Sequence, residues 1–146
     1  MTYDEILRAA DDYLTAQERI RLAFALSREY DGRTFEALGE AWAEDNLNMR
    51  KAERGAAGID GMLPNGRTLQ IKSKKANAHA DNATYVTLSA ATLAKADCLL
   101  IVFVNYDTCE VVRWVGPVAI GLLTSRNNRY YISDILDLLE KVGGAC

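Results

Sequence analysis

GIDGMLPNGRTLQIKSKK, residues Gly58–Lys75, decides how the chain is read. Thr68, Gln70, Lys72 and Lys74 alternate with Leu69, Ile71 and Ser73, the period of two that marks a strand with one buried face. Pro64-Asn65-Gly66 is turn chemistry, because Pro presets φ while Asn and Gly tolerate positive φ. A hairpin looped on those three residues pairs Leu63 with Arg67 and sets Asp60 opposite Gln70. Lys72 then projects from the same face as Gln70. A carboxylate, an amide oxygen and an ammonium are expected side by side, the donors that hold a divalent cation and a water beside a phosphate.

Around this stretch the composition is that of an ordinary globular domain. The chain has 146 residues, 49% hydrophobic and 25% charged, most simply one domain with a real core. No apolar run approaches the roughly 18 residues of a membrane span; the longest, Cys98–Val104, is strand-length. The acidic, amphipathic start MTYDEILRAADDYL is neither a signal nor a transit peptide, and the expected location is the cytoplasm. Cys98, Cys109 and Cys146 are odd in number and widely spaced, with a single His in the chain. Zinc and a disulfide framework are therefore not expected. Cys98 and Cys109 read as buried strand residues, and Cys146 as a terminal thiol.

The formal charge of −3 argues against indiscriminate nucleic-acid binding, yet it is unevenly spread. Between residues 50 and 75, seven cations (Arg50, Lys51, Arg54, Arg67, Lys72, Lys74, Lys75) face only Glu53 and Asp60. A basic patch on an acidic body suits a phosphate-bearing ligand. A lysine-rich strand edge that discourages edge pairing accounts for it equally well.

Outward from the hairpin, Thr2 and Glu5 form a capping-box pattern, and helices are expected over residues 2–14 and 15–30, the second closed by Asp31-Gly32. Thr34 caps a third helix, Phe35 to about Arg50, with Phe35, Leu38, Trp42 and Met49 as its apolar stripe. Gly39 costs that helix roughly 1 kcal/mol against Ala, so close approach to another element is expected there. Glu36, Glu40 and Glu44 share one face. Beyond the hairpin come a loop at 76–83, a short strand at 84–88 and a short helix at 89–96. The apolar run Cys98–Asn105 reads as a strand covered on both faces. A turn at Tyr106-Asp107 leads to a strand Cys109–Val115 that Gly116-Pro117 ends. Pro117–Leu123 is expected to be helical, Ser125–Arg129 a polar loop, and Ser133 the cap of a last helix, Asp134 to about Val142, stopped by Gly143-Gly144. Ile135, Leu138, Leu139 and Val142 should face inward, and Trp42 and Trp114 should be core. The fold class is α/β, a mixed sheet of four to five strands between helices.

A helix carrying Gly39-Glu40, then Asp60, then Gln70-Ile71-Lys72, resembles the PD-(D/E)XK nuclease superfamily of restriction endonucleases, Mrr-like enzymes and junction resolvases. The resemblance implies a restriction-endonuclease-like core over residues 34–116, with residues 1–33 as an N-terminal helical extension and 117–146 as C-terminal helices. Ile59 stands where the motif often has Pro. Gln70 stands where it has Asp or Glu, the form found in the Mrr-like branch, which removes one negative charge from the cage. By resemblance, Asp60, Gln70 and Glu40 would hold Mg²⁺ or Mn²⁺, and Lys72 would orient the attacking water. Arg54, Arg67, Lys74 and Lys75 would grip flanking phosphates. The implied activity is an endonuclease acting on nucleic acid, DNA before RNA, as a homodimer, since cutting both strands needs two sites. The alternative is a catalytically inactive protein of the same fold that binds nucleic acid or a protein partner in a phage–host or defence setting. Without the family, Asp60 is a polar residue beside a turn, and Gln70 and Lys72 are a solvated strand face. His79 reads as a loop surface residue, while Tyr130-Tyr131 suits either base stacking or helix packing.

Overall fold

The computed structural model describes residues 2–5, 34–53, 55–76, 84–105 and 110–146. At the N-terminus the capping box forms reciprocally: the Thr2 amide donates to the Glu5 carboxylate at 2.7 Å, and the Glu5 amide to Thr2 Oγ1 at 3.2 Å. Most of the two N-terminal helices lies outside the described residues, as do Arg54, His79, Cys109 and the Tyr106-Asp107 turn.

Helix α1 (Thr34–Leu47) ends three residues short of the expected Arg50. Asn48 takes a left-handed conformation, φ 53°, and the Met49 amide bonds back to the Ala43 carbonyl at 3.3 Å. Both features mark a helix stop. The released chain forms strand β1 (Arg50–Lys51), then β2 (Gly61–Met62) and β3 (Thr68–Lys75). The hairpin register is the expected one. Gly61 pairs with Leu69 and Met62 with Thr68, the register that a loop on Pro64-Asn65-Gly66 sets, but the regular pairing stops before Asp60, whose amide donates to the Leu69 carbonyl. The Leu63 amide donates to the Arg67 carbonyl at 2.8 Å, and Gly66 turns the loop at φ 86°. The upstream arm is shorter than the sequence suggests, because only Gly61 and Met62 are regular strand.

Strand β4 (Tyr85–Val86) and helix α2 (Ala90–Lys95), capped by Ser89, follow as expected. Strand β5 (Cys98–Asn105) runs parallel to β3, so the chain between them crosses over through α2. Asp97 pins the crossover: its carboxylate accepts from the Thr68 amide at 3.0 Å, and its own amide donates to Thr68 Oγ1 at 2.9 Å. Seven of the eight β5 residues are buried, as an all-apolar strand between two neighbours requires.

Strand β6 (Glu110–Ala119) corrects two expectations. It continues through Gly116-Pro117, whose peptide bond is cis, and leaves only a 3₁₀ turn at Ile120–Leu122 where a helix was expected. β6 is the last strand of the five-stranded sheet, order β1-β2-β3-β5-β6, and an edge strand needs no amide from Pro117 on its open side. A shift of register between Leu99 and Ile101 takes up the irregularity. Residues 130–131, not read as a strand, form β7 (Tyr130–Tyr131), which pairs with β4 as a separate two-stranded ribbon. Helix α3 (Ile132–Val142) begins before Ser133, with Tyr131 in the cap position and no side-chain cap; Gly143 ends it as expected.

The mixed α/β sheet is covered on both faces. Ala43 of α1 packs with Leu69, Ile71, Leu100 and Val102 on one side. Ile132 and Ile135 of α3 pack with Leu99, Ile101, Val115 and Val118 on the other. Val142 and Trp114, both expected inside, are exposed at 59% and 53%; Trp114 leans on the half-buried Trp42 with ring centroids 4.9 Å apart. Cys98 and Cys146 form a disulfide, against the reading of two unconnected thiols. Spacing hides such a bond, because the partners are 48 residues apart and meet only through the fold. Among the described residues no helix is long and apolar enough to cross a membrane.

Candidate carboxylate site at the α1–β3 contact

Gly39 is where α1 meets the sheet. A Cβ there would lie 2.6 Å from Ser73 Oγ, 3.0 Å from Val102 Cγ2 and 3.2 Å from Ile71 Cγ2. The missing side chain lets the helix descend onto β3, and the next residue, Glu40, arrives beside Asp60.

Asp60 is held from the strand side. β2 has not yet begun at this position, and Asp60 Oδ2 accepts the Ile71 amide at 2.7 Å, while the Asp60 amide donates to the Leu69 carbonyl at 2.8 Å. The two carboxyl groups lie within hydrogen-bonding reach of each other, which raises Glu40 and lowers Asp60. Burial, then the Asp60 charge, raises Glu40 from an ordinary 4.5 to about 7, although Lys51 Nζ stands 3.9 Å from its Oε2. Burial also raises Asp60; the Ile71 amide, the bond from Glu40 and the charge of Lys72 pull it back. Two carboxyl groups from different elements are thus pressed together in a partly desolvated place where both cannot comfortably be charged.

Gln70 and Lys72 are half-buried on β3, and Lys72 is near enough to Asp60 to act on its charge. Lys74 is partly desolvated and crowded by Lys72, which together lower its pKa. Lys75 alternates to the other face at the exposed end of β3. Arg67 is taken elsewhere: it lies about 16 Å from Lys72 along the strand by the usual rise, donates to the Ala145 carbonyl, and sits 3.7 Å from Cys146 Sγ. The structure therefore gathers Glu40, Asp60 and Lys72, places Gln70 one residue before the Ile71 amide that Asp60 accepts, and leaves Arg67 out. Arg54 lies outside the described residues.

Two further residues act on the pair without having been assigned to it from the sequence. Glu36 acts on the charges of both Glu40 and Asp60; its i, i+4 spacing from Glu40 was visible but read as surface. Lys51 pairs with Glu40 only because α1 stops early enough for β1 to turn back, which the left-handed Asn48 could have signalled.

Among the described residues no cluster of three or more His, Cys, Asp or Glu forms a cation cage. Of the residues read as ligands, the structure brings together the carboxyl groups of Glu40 and Asp60, hard oxygens of the kind that could hold Mg²⁺ or Mn²⁺. Compared with known protein families and with characterised proteins, the chain matches none.

Proposed function

We propose that this chain is a metal-dependent phosphodiesterase that cuts nucleic acid, DNA before RNA, on the plan of the PD-(D/E)XK nucleases with a restriction-endonuclease-like core. The observation that carries the reading is the contact between Glu40 of α1 and Asp60 at the start of the hairpin, with Lys72 near enough to act on the Asp60 charge. A stable surface has no need of two desolvated carboxyl groups in contact, and a dication is the partner that relieves them.

Asp60, Glu40 and Gln70 would hold the ion, and Mg²⁺ or Mn²⁺ there would supply Lewis acidity and a bound water of lowered pKa. Asp60 Oδ2 accepts the Ile71 amide, which holds the carboxylate in place and would leave Oδ1 for the ion. Lys72 places a positive charge where a phosphate oxygen gains charge during attack. Gly39 fixes the approach of Glu40, and Gln70 contributes a neutral ligand that keeps affinity modest. Lys74, one pleat along from Lys72, would meet the neighbouring phosphate. Action on both strands of a duplex would require a homodimer.

The test is cleavage of plasmid and single-stranded DNA with Mg²⁺ or Mn²⁺, beside an EDTA control and Lys72→Ala. Metal-dependent cutting, reduced at least a hundredfold by the substitution, is expected from the loss of a transition-state charge contact. No cutting on any substrate, with no Mn²⁺ uptake by calorimetry, would sink the enzyme and leave a binding scaffold. One observation favours that second reading: one Asp60 oxygen is already committed to the β3 backbone.

A further inference from the structure

A second group of side chains with a common chemistry adjoins the far end of β3. Lys74 Nζ stands 5.4 Å from the centroid of the Tyr85 ring on β4. Tyr85 faces Tyr131 of β7 with centroids 5.7 Å apart and planes tilted by 55°. The Arg129 guanidinium lies 4.4 Å over Tyr85, and that of Arg126 lies 4.3 Å over Tyr131. Four planar groups are thus linked in the order Arg129, Tyr85, Tyr131, Arg126, with a cation at either end. Asp134 binds Arg126 at 3.1 Å and offsets part of its charge. Arg129 is exposed and is held by the tyrosines rather than by a carboxylate among the described residues.

The arrangement has a chemical sense. A guanidinium laid on a ring has already lost its rotational freedom and offers its outer face and its edge N–H groups to a ligand. The outer face stacks on an unpaired base, and the edge binds phosphate. A duplex offers the edge its phosphates but keeps its base faces covered. Lys72 and Lys74 project from one face of β3, and Lys74 shares the Tyr85 ring with Arg129, so a row of cations leads from beside Asp60 to Arg129.

We infer that the β4–β7 ribbon is a docking platform for single-stranded polynucleotide, continuous through Lys74 with the carboxylate site. In supposing that the strand reaches the carboxylates, the inference rests on the nuclease reading; the platform itself does not require cleavage. Arg129 stacks on a base, Tyr85 and Tyr131 hold the arginines in place, and Lys74 carries the backbone toward Lys72.

Fluorescence anisotropy of a labelled oligothymidylate of about 15 nucleotides, in EDTA so that nothing is cut, tests it on the full chain. Single strand should bind about tenfold more tightly than duplex of the same length. Arg129→Lys keeps the charge but removes the plane, and should weaken binding about tenfold with the salt dependence nearly unchanged. Arg129→Ala should weaken it further and lower the salt slope by about one. Melting curves verify that both variants remain folded, as an exposed position allows. Equal binding by both variants and wild type, or equal affinity for duplex, overturns the platform. Arg129-dependent binding with no cleavage under Mn²⁺ leaves the platform standing and removes the nuclease. Cleavage with binding indifferent to Arg129 does the reverse.

Discussion

Glu40 makes the protein's stability depend on pH in a direction opposite to that of most carboxylates. Its pKa is about 7 in the folded chain against an ordinary 4.5, and Asp60 is raised as well. The folded state therefore holds more protons than the unfolded state between those values. Stability is fully present below about pH 4.5, where Glu40 is protonated in both states, and falls as pH rises through 7. In EDTA the melting temperature should decline from pH 5 to pH 8. Glu40→Gln keeps the hydrogen bond and removes the titration, so its melting temperature should stay nearly flat over that range. A wild-type profile that rises with pH would mean the two carboxyl groups are not in contact. Asp60 has a second duty, since it satisfies the Ile71 amide where the short β2 offers no partner.

The pairing of helix and strand depends on Gly39. Alanine would gain helix propensity of about 1 kcal/mol, yet its Cβ would sit 2.6 Å from Ser73 Oγ with Val102 and Ile71 close behind. Overpacking of this kind costs about 1–3 kcal/mol, so Gly39→Ala should lower stability in urea unfolding despite the better helix former. Ser73→Gly on the same chain should restore part of the loss. A stabilised Gly39→Ala would show that α1 does not lie on β3 at that distance. The hairpin and this helix were legible residue by residue, because turn chemistry and period-two alternation are local. The helix stop at Asn48 was equally local and was overlooked. β1 and β7 were not legible: each has two residues and exists only because a partner strand is presented to it.

The Cys98–Cys146 bond ties the C-terminus to the first residue of β5, and the tail is further held by the Ala119 amide donating to the Gly144 carbonyl at 2.8 Å. Closing a loop with partners 48 residues apart removes chain entropy from the unfolded state. On that account the bond is worth about 4 kcal/mol at most. Cys146→Ser, or reductant, should shift the urea midpoint down, while Cys109→Ser should not respond to reductant differently from wild type. Equal midpoints with and without reductant would mean the bond is not formed in solution. Because the strap meets the sheet near Arg67, about 16 Å along β3 from Lys72 by strand rise, reduction is expected to change stability more than any activity at the carboxylates.

The sequence by itself determined the hairpin and its register, the all-apolar strand Cys98–Asn105, the need for close approach at Gly39, and which polar residues share a face of β3. These follow from alternation, turn residues and helix spacing, which act over a few positions. The contact of Glu40 with Asp60, the pairing of Lys51 with Glu40, the diversion of Arg67, the disulfide and the Tyr85–Tyr131 ribbon were decided only by tertiary structure. Each joins segments whose separation along the chain carries no periodic signal. Each is made only where the fold brings those segments together.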